Sequence, residues 1–278
     1  MPYSAEISRS NPTAFLFLID QSGSMEDPWA GSDGGQSKAD ALATIINRLF
    51  TELVIKCSKD EGVRDYFEVG VLAYGNDVRP VLGGALAGRI FVPVSEIADN
   101  PMRVEDRVQK VSDGVGGLVE QTVKFPVWFE PQSKHGTPMC EALRQAREAL
   151  AGWIGAHPDA FPPIVFNITD GEATDGDPSR AAEDVRALET TDGAALLFNV
   201  HLSGHRGKVE FPESEDPLVD DFARRLFRMS SPLPPHLLRE AMTEGYLVSE
   251  GSRGFVFNAD AAAVIQFLDI GTRPANLR

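Results

Sequence analysis

Cysteine is nearly missing from this chain: two occur in 278 residues, Cys57 and Cys140. Both fall in segments with helical patterning, where a buried, unpaired thiol is the ordinary case, and a cytoplasmic protein is the simplest inference. Positive charge is scarce as well. Lys and Arg number 26 against 41 Asp and Glu, a formal charge of −15, which argues against nucleic acid or an anionic membrane as a bulk partner. No apolar run is long enough to span a bilayer. The opening "MPYSAEISRSNPTAF" has neither the basic start nor the apolar stretch of a signal peptide. Internal repeats and low-complexity linkers are also missing, so the expectation is a single domain over residues 1–278.

What the chain does have is apolar material in a regular order. Hydrophobic residues make up 42% of it, enough for a sizeable core. "TAFLFLID" reads as a strand. "SKADALATIINRLFTELVIK" follows as a helix with Leu42, Ile45, Ile46, Leu49, Phe50 and Leu53 on one face, opened by Ser37 and Asp40 in the spacing of a capping box. "YFEVGVLAYG" is a second strand. "TPMCEALRQAREALAGWI" is a helix with Pro138 at its first position, and "PPIVFNITD" a third strand. Then come a helix in "DPSRAAEDVRALET", a strand in "AALLFNVHL", helices in "DPLVDDFARRLFRMS" and "PPHLLREAMTEG", a strand in "GFVFN" and a closing helix in "ADAAAVIQFLDIG".

This alternation predicts an α/β fold: a doubly wound, mostly parallel sheet with helices on both faces. The rhythm breaks between Val78 and Lys134, which reads as an irregular insertion with one or two edge strands and a helix in "RVEDRVQKVSDG". Trp128, Phe129 and Phe125 lie there beside "HGTPM", either as interface anchors or as packing under the insertion.

Two strands end in an acid, Asp20 and Asp170. If those strands are neighbours, both carboxylates meet at the carboxyl edge of the sheet, where ligands of such folds bind. Ser22 and Ser24 stand at alternate positions after Asp20, and Thr137 opens a helix. Two carboxylates and three hydroxyls form a set of hard oxygen donors suited to Mg²⁺ first, and to Mn²⁺ or Ca²⁺ after it. Each piece also has a purely structural reading. "DQSGSM" alone makes an ordinary Asx turn, and Thr137 before Pro138 makes a good N-cap. Glu172, Asp175 and Asp177 read as solvated or capping acids, His135 as an exposed loop residue and Asn76 as a turn residue.

Taken together, "DQSGS", "GTPM" and "ITDGEATDG" resemble the von Willebrand factor A family, whose metal-ion-dependent adhesion site is written D-x-S-x-S, then a distant Thr, then a distant Asp. The resemblance covers the chain in element order, more loosely from Val78 to Lys134. It implies one antiparallel edge strand in the sheet. It implies metal contacts through Ser22, Ser24 and Thr137, with Asp20 and Asp170 binding directly or through water. It also implies a protein partner that offers a carboxylate to the metal. "NPTAFLFLIDQSGSM" and "FNITDGEATDGD" look most like compact bacterial members of the tellurite-resistance-associated type. Those act as scaffolds in stress or phage-defence signalling with kinase or phosphatase partners. An adaptor for a ring ATPase, of the chelatase type, is the rival. An enzyme is the weakest reading. Neither serine sits in a G-x-S-x-G frame, there is no G-x-x-x-x-G-K-[ST] loop, and "DGVGGL" lacks dinucleotide-binding spacing. No Cys/His cluster suits zinc, and Ser22 stands where a haloacid-dehalogenase-type phosphatase would carry its second aspartate.

Overall fold

The computed structural model describes residues 2–29, 35–112, 118–202, 207–218, 220–258 and 260–272. In chain order the elements begin with β1 Thr13–Asp20, α1 Lys38–Cys57, the short strands β2 Ser58–Lys59 and β3 Gly62–Val63, and β4 Phe67–Tyr74. They continue with β5 Val78–Pro80, β6 Val92–Pro93, α2 Val94–Asp99, β7 Arg103–Ser112, β8 Leu118–Val127 and α3 Met139–Ala156. Next are β9 Ile164–Thr169, α4 Ser179–Arg186, β10 Glu189–Thr190, β11 Gly193–Ala194, β12 Leu196–His201 and β13 Val209–Glu210. The remainder is α5 Asp221–Met229, α6 Pro235–Thr243, β14 Phe255–Phe257 and α7 Ala261–Gly271.

All eight residues of β1 are buried, as the unbroken run "TAFLFLI" requires of a strand covered on both faces. It lies in the middle of the main sheet, whose order is β13-β14-β12-β9-β1-β4-β5, with β6 also paired to β4. The five strands β14, β12, β9, β1 and β4 run parallel. Antiparallel pairing is confined to the margins, where β5 and β6 meet β4 and β13 meets β14. Alternate side chains of β1 feed two cores. Phe15, Phe17 and Ile19 pack with α1, α6 and α7, while Leu16 and Leu18 pack with α3, α4 and α5. The molecule is therefore a doubly wound, mostly parallel α/β fold. The order in which strands are added reverses about β1, since β4 lies on one side of it and β9 and β12 on the other. Such a switch point opens a crevice at the carboxyl ends of the strands.

The stretch from Val78 to Lys134 carries the expected edge strands, β5 and β6 against β4, but "RVEDRVQKVS" is not a helix, and the last two residues of that expected helix, 113 and 114, lie outside the described residues. β7 pairs antiparallel with β8 along its full length, from Arg103↔Val127 to Ser112↔Leu118. Val104, Val108 and Val111 fall at helical spacing, which is what suggests a helix. In the strand, however, Val104 and Val108 share the outward face, 52% and 63% exposed. Glu105 and Arg107 turn inward, and the Arg107 guanidinium lies 3.6 Å from the centre of the Phe125 ring. Cross-strand pairing outweighs an amphipathic pattern whose apolar stripe has nothing to cover it. The helix of this stretch is α2 instead, just before β7. The other misplaced boundary is α4, which ends at Arg186, with Glu189–Thr190 paired to Gly193–Ala194 as a hairpin.

The aromatics of this stretch belong to the core. Trp128 and Phe129 are each 2% exposed. The Trp128 ring meets Phe50 edge-on and its indole N–H donates to the Ile97 carbonyl at 2.7 Å. Asn47 of α1 completes the joint. Its Oδ1 accepts the backbone N–H groups of Trp128 and Phe129, and its Nδ2 donates to the Phe129 carbonyl. Trp128→Ala is therefore expected to cost about 3–5 kcal/mol of stability by chemical denaturation. A folded, fully stable variant would show that Trp128 serves a surface instead.

Candidate metal centre

Asp20 is the last residue of β1 and only 1% exposed. Its Oδ1 accepts the Ser22 backbone N–H at 2.8 Å, and its Oδ2 accepts the Thr169 hydroxyl at 2.6 Å. Because β9 runs parallel to β1 with Ile168 opposite Ile19, Thr169 comes level with Asp20, and Asp170 follows on the rim. The two acids thus belong to neighbouring strands, as the sequence suggested.

Beyond Asp20 the chain enters a short turn of 3-10 helix, Gly23–Glu26. The Ser22 and Ser24 hydroxyls lie 3.1 Å apart, and Ser24 Oγ donates to Asp170 Oδ1 at 2.8 Å. Asp20, Ser22, Ser24 and Asp170 therefore form one continuous line of oxygen donors. Thr137, 5% exposed, is brought alongside by its backbone. The loop before it is tied to the serine turn by Gly23 N–H to the His135 carbonyl at 3.0 Å and Lys134 N–H to the Gln21 carbonyl at 2.7 Å. On its other side, Thr137 N–H donates to Thr174 Oγ1, and Thr174 N–H to the Thr137 carbonyl. These approaches leave no room for side chains. A Cβ on Gly136 would stand 2.9 Å from Thr174 Oγ1, and one on Gly75 2.9 Å from the Gln21 carbonyl oxygen.

Thr137 is not the cap of α3. The cap position is Pro138, and the first-turn N–H groups of Cys140 and Glu141 donate to the Asp175 carboxylate. Asp177 caps in the same way at Ser179. Those acids are capping groups, and Glu172 is exposed. His135 is exposed at the loop tip with φ +73°, and Asn76 is an exposed turn residue.

Sequence reasoning missed one member of the site. Lys38, the first residue of α1, is buried, and its ammonium donates to Asp170 Oδ2 at 2.7 Å and to the Ser24 carbonyl at 3.3 Å. The signal was there: a lysine in the first turn of a helix opposes the helix dipole and calls for a reason. A second omission lies beneath the rim. The Tyr74 hydroxyl donates to Asn167, Asn167 to Asn199 and Asn199 to Ser230, a buried polar line across β4, β9 and β12.

Burial pushes the Asp20 carboxyl up to about 6, with the nearby Asp170 charge adding to the rise and the bonds from Thr169 and Ser22 opposing it. Burial likewise raises the Tyr74 phenol well above its ordinary value. Among the described residues, no three His, Cys, Asp or Glu side chains gather as a metal site. The donor set here is two carboxylates with hydroxyls, which fits a small hard cation and not zinc.

No family model and no curated protein matches this sequence. Among solved structures, the chain is similar to a von Willebrand factor type A protein from Catenulispora acidiphila, at 14% identity and a TM-score of 0.46, covering 94% of this chain and 41% of that one. It is similar to the PilB minor pilin from Streptococcus sanguinis, at 11% identity and a TM-score of 0.45, covering 94% of this chain and 60% of that one. A third is the vWF domain of the type V pili tip protein Mfa5 from Porphyromonas gingivalis, at 19% identity and a TM-score of 0.30, covering 59% and 39%. The chain spans less than two thirds of the length of each.

The raised Asp20 value has a definite sign. The folded protein holds this proton more tightly than the unfolded chain, so the group's destabilising effect is full above about pH 6 and disappears as the pH falls towards 3.8. In chelator, Asp20→Asn should be as stable as wild type near neutral pH or more so, by up to about 3 kcal/mol. That advantage should shrink as the pH is lowered to about 5. Melting curves at both pH values check it. A variant melting far below wild type at neutral pH would make Asp20 a structural clasp of the turn.

Proposed function

We propose that this chain is a non-enzymatic, metal-dependent protein-interaction module. Asp20, Ser22, Ser24, Thr137 and Asp170 hold a Mg²⁺-class cation and present it to a carboxylate of a protein partner. The observation that carries this reading is the line of hard oxygens from Asp20 through Ser22 and Ser24 to Asp170, gathered at the switch point of the sheet. When bound, the cation supplies a Lewis-acid position for an anionic oxygen.

Thr169 and the Ser22 N–H hold the Asp20 carboxylate in orientation. Burial of Asp20 and Ser22 keeps water from competing for them. Beside the serine turn, a cleft of about 160 Å³ lined by Gln21, Asn76, Arg79, Gln132, Lys134 and His135 offers cationic and amide groups to an acidic segment. Catalysis finds little support in the thiols. Burial raises Cys140 to about 11 and Cys57 to about 12, so both are protonated and poorly nucleophilic at neutral pH.

The narrower placement is a scaffold in bacterial stress or phage-defence signalling, with a kinase or phosphatase as the partner. It rests on "NPTAFLFLIDQSGSM" and "FNITDGEATDGD" alone. An adaptor for a ring ATPase would use the same site.

Calorimetry with Mg²⁺ and Mn²⁺ should show one bound ion for wild type and a loss of affinity of about tenfold or more for Asp20→Ala. Equal binding by both proteins would overturn the ligand assignment. Partner capture should require the metal and fail in chelator. Turnover of a generic phosphoester by wild type, lost in Asp20→Ala, would replace the binding reading with an enzymatic one.

A further inference from the structure

Lys38 occupies an unfavourable place for a lysine. It is the first residue of a 20-residue helix, where the N-terminal dipole repels a cation, and it is only 8% exposed. Lysine is rarely buried this far unless its charge is matched. Here the match is Asp170, whose side chain is fully buried, at 2.7 Å. Asp27 lies 3.9 Å away with a largely solvated carboxylate, and the remaining contact is the Ser24 carbonyl. The two oxygens of Asp170 are divided between two tasks. Oδ1 faces the Ser24 hydroxyl and the line of donors, while Oδ2 is taken by the ammonium. Lys38 therefore holds the oxygen of Asp170 that the Ser24 hydroxyl leaves free, while Oδ1 stays with the line of donors.

We propose that Lys38 is a positioning residue that acts as a tethered counter-charge of the metal centre. It fixes Asp170 by its second oxygen, weakens the binding of a bare divalent cation, and makes the loaded centre demand an anionic ligand. Charge balance supplies the argument. Two carboxylates and one ammonium leave the cluster one charge negative. A divalent cation turns it one charge positive, and a single carboxylate oxygen donor from outside restores neutrality. Without Lys38, the two acids alone would neutralise the cation and leave little electrostatic demand for a further anion. Metal and anion thus become thermodynamically coupled, each raising the affinity for the other. This deepens the metal-dependent reading above and rests on it.

The test uses the whole chain, Lys38→Met, Lys38→Arg, Asp170→Asn and the Lys38→Met/Asp170→Asn double variant. Mn²⁺ affinity is measured by calorimetry with sodium acetate or sodium chloride at equal ionic strength, acetate being the carboxylate probe. Removing a unit charge this close should tighten Mn²⁺ binding by roughly tenfold or more in Lys38→Met, while Lys38→Arg stays near wild type. Acetate should tighten Mn²⁺ binding to wild type and do so markedly less in Lys38→Met. Unchanged or weaker Mn²⁺ binding by Lys38→Met, or an equal acetate effect in both proteins, would overturn the proposal. Melting in chelator separates the two layers of the argument. The Lys38 and Asp170 substitutions should be non-additive there whether or not metal binds, and additive effects would remove the pairing itself. If that coupling holds but wild type binds no Mn²⁺, the metal reading fails and Lys38 is an ordinary buried ion pair.

Discussion

Everything at the rim depends on the parallel pairing of β1 with β9. That register sets Thr169 level with Asp20, so the carboxylate finds its Oδ2 partner in the adjacent strand and Asp170 lands one residue further on. A shift of one residue would exchange the two buried faces of β9, taking Phe166 out of its aromatic cluster and Asn167 away from Tyr74 and Asn199. The register is therefore enforced by the core and merely used by the site. Phe17 stacks on Phe166 at 5.1 Å, and Phe166 meets Phe198 and Phe267 edge-on, which anchors the same pairing from the α1 and α7 side. Packing far from the rim thus decides the geometry of the oxygen donors.

The loops around this edge are held by backbone bonds more than by side chains. The serine turn, the threonine loop and the aspartate loop exchange N–H groups and carbonyls in sequence, from Lys134–Gln21 and Gly23–His135 to Thr174–Thr137. Such bonds tolerate varied side chains but not added bulk, which is why Gly75 and Gly136 sit where the loops touch. His135 pays a local strain, with a positive φ in a non-glycine residue, to aim its carbonyl at Gly23. Asp175 relieves the threonine loop of capping duty by serving the first turn of α3 from another loop.

Most of the fold was legible because its signals were local. Continuous apolar runs marked β1 and β9, and Ser37 with Asp40 marked the start of α1, where Ser37 Oγ indeed accepts the Asp40 N–H. The metal-ligand candidates were legible as residue types at strand ends, and the structure brings Asp20, Ser22, Ser24 and Asp170 into contact, with Thr137 beside them. What escaped was non-local. β7 reads as a helix until its partner β8 is known, since Val104, Val108 and Val111 satisfy a period of 3.6 and nothing in ten residues reports a cross-strand neighbour. Lys38 escaped because it makes its contact 132 positions away. The Tyr74–Asn167–Asn199 line escaped for the same reason: an asparagine inside "VFNIT" or "LFNVH" reveals its partner only when the strands are ordered.

Three departures from local preference border one edge: a lysine at a helix N-terminus, an aspartate buried at the end of a central strand, and a histidine with positive φ. Folding alone would favour neutral residues at Asp20 and Asp170, because burial lifts the Asp20 carboxyl towards protonation and Lys38 compensates only one of the two charges. An apolar or amide pair would close the strand ends with less cost. Two carboxylates with one internal cation leave this rim one positive charge short, and the function proposed above accounts for that deficit where packing alone does not.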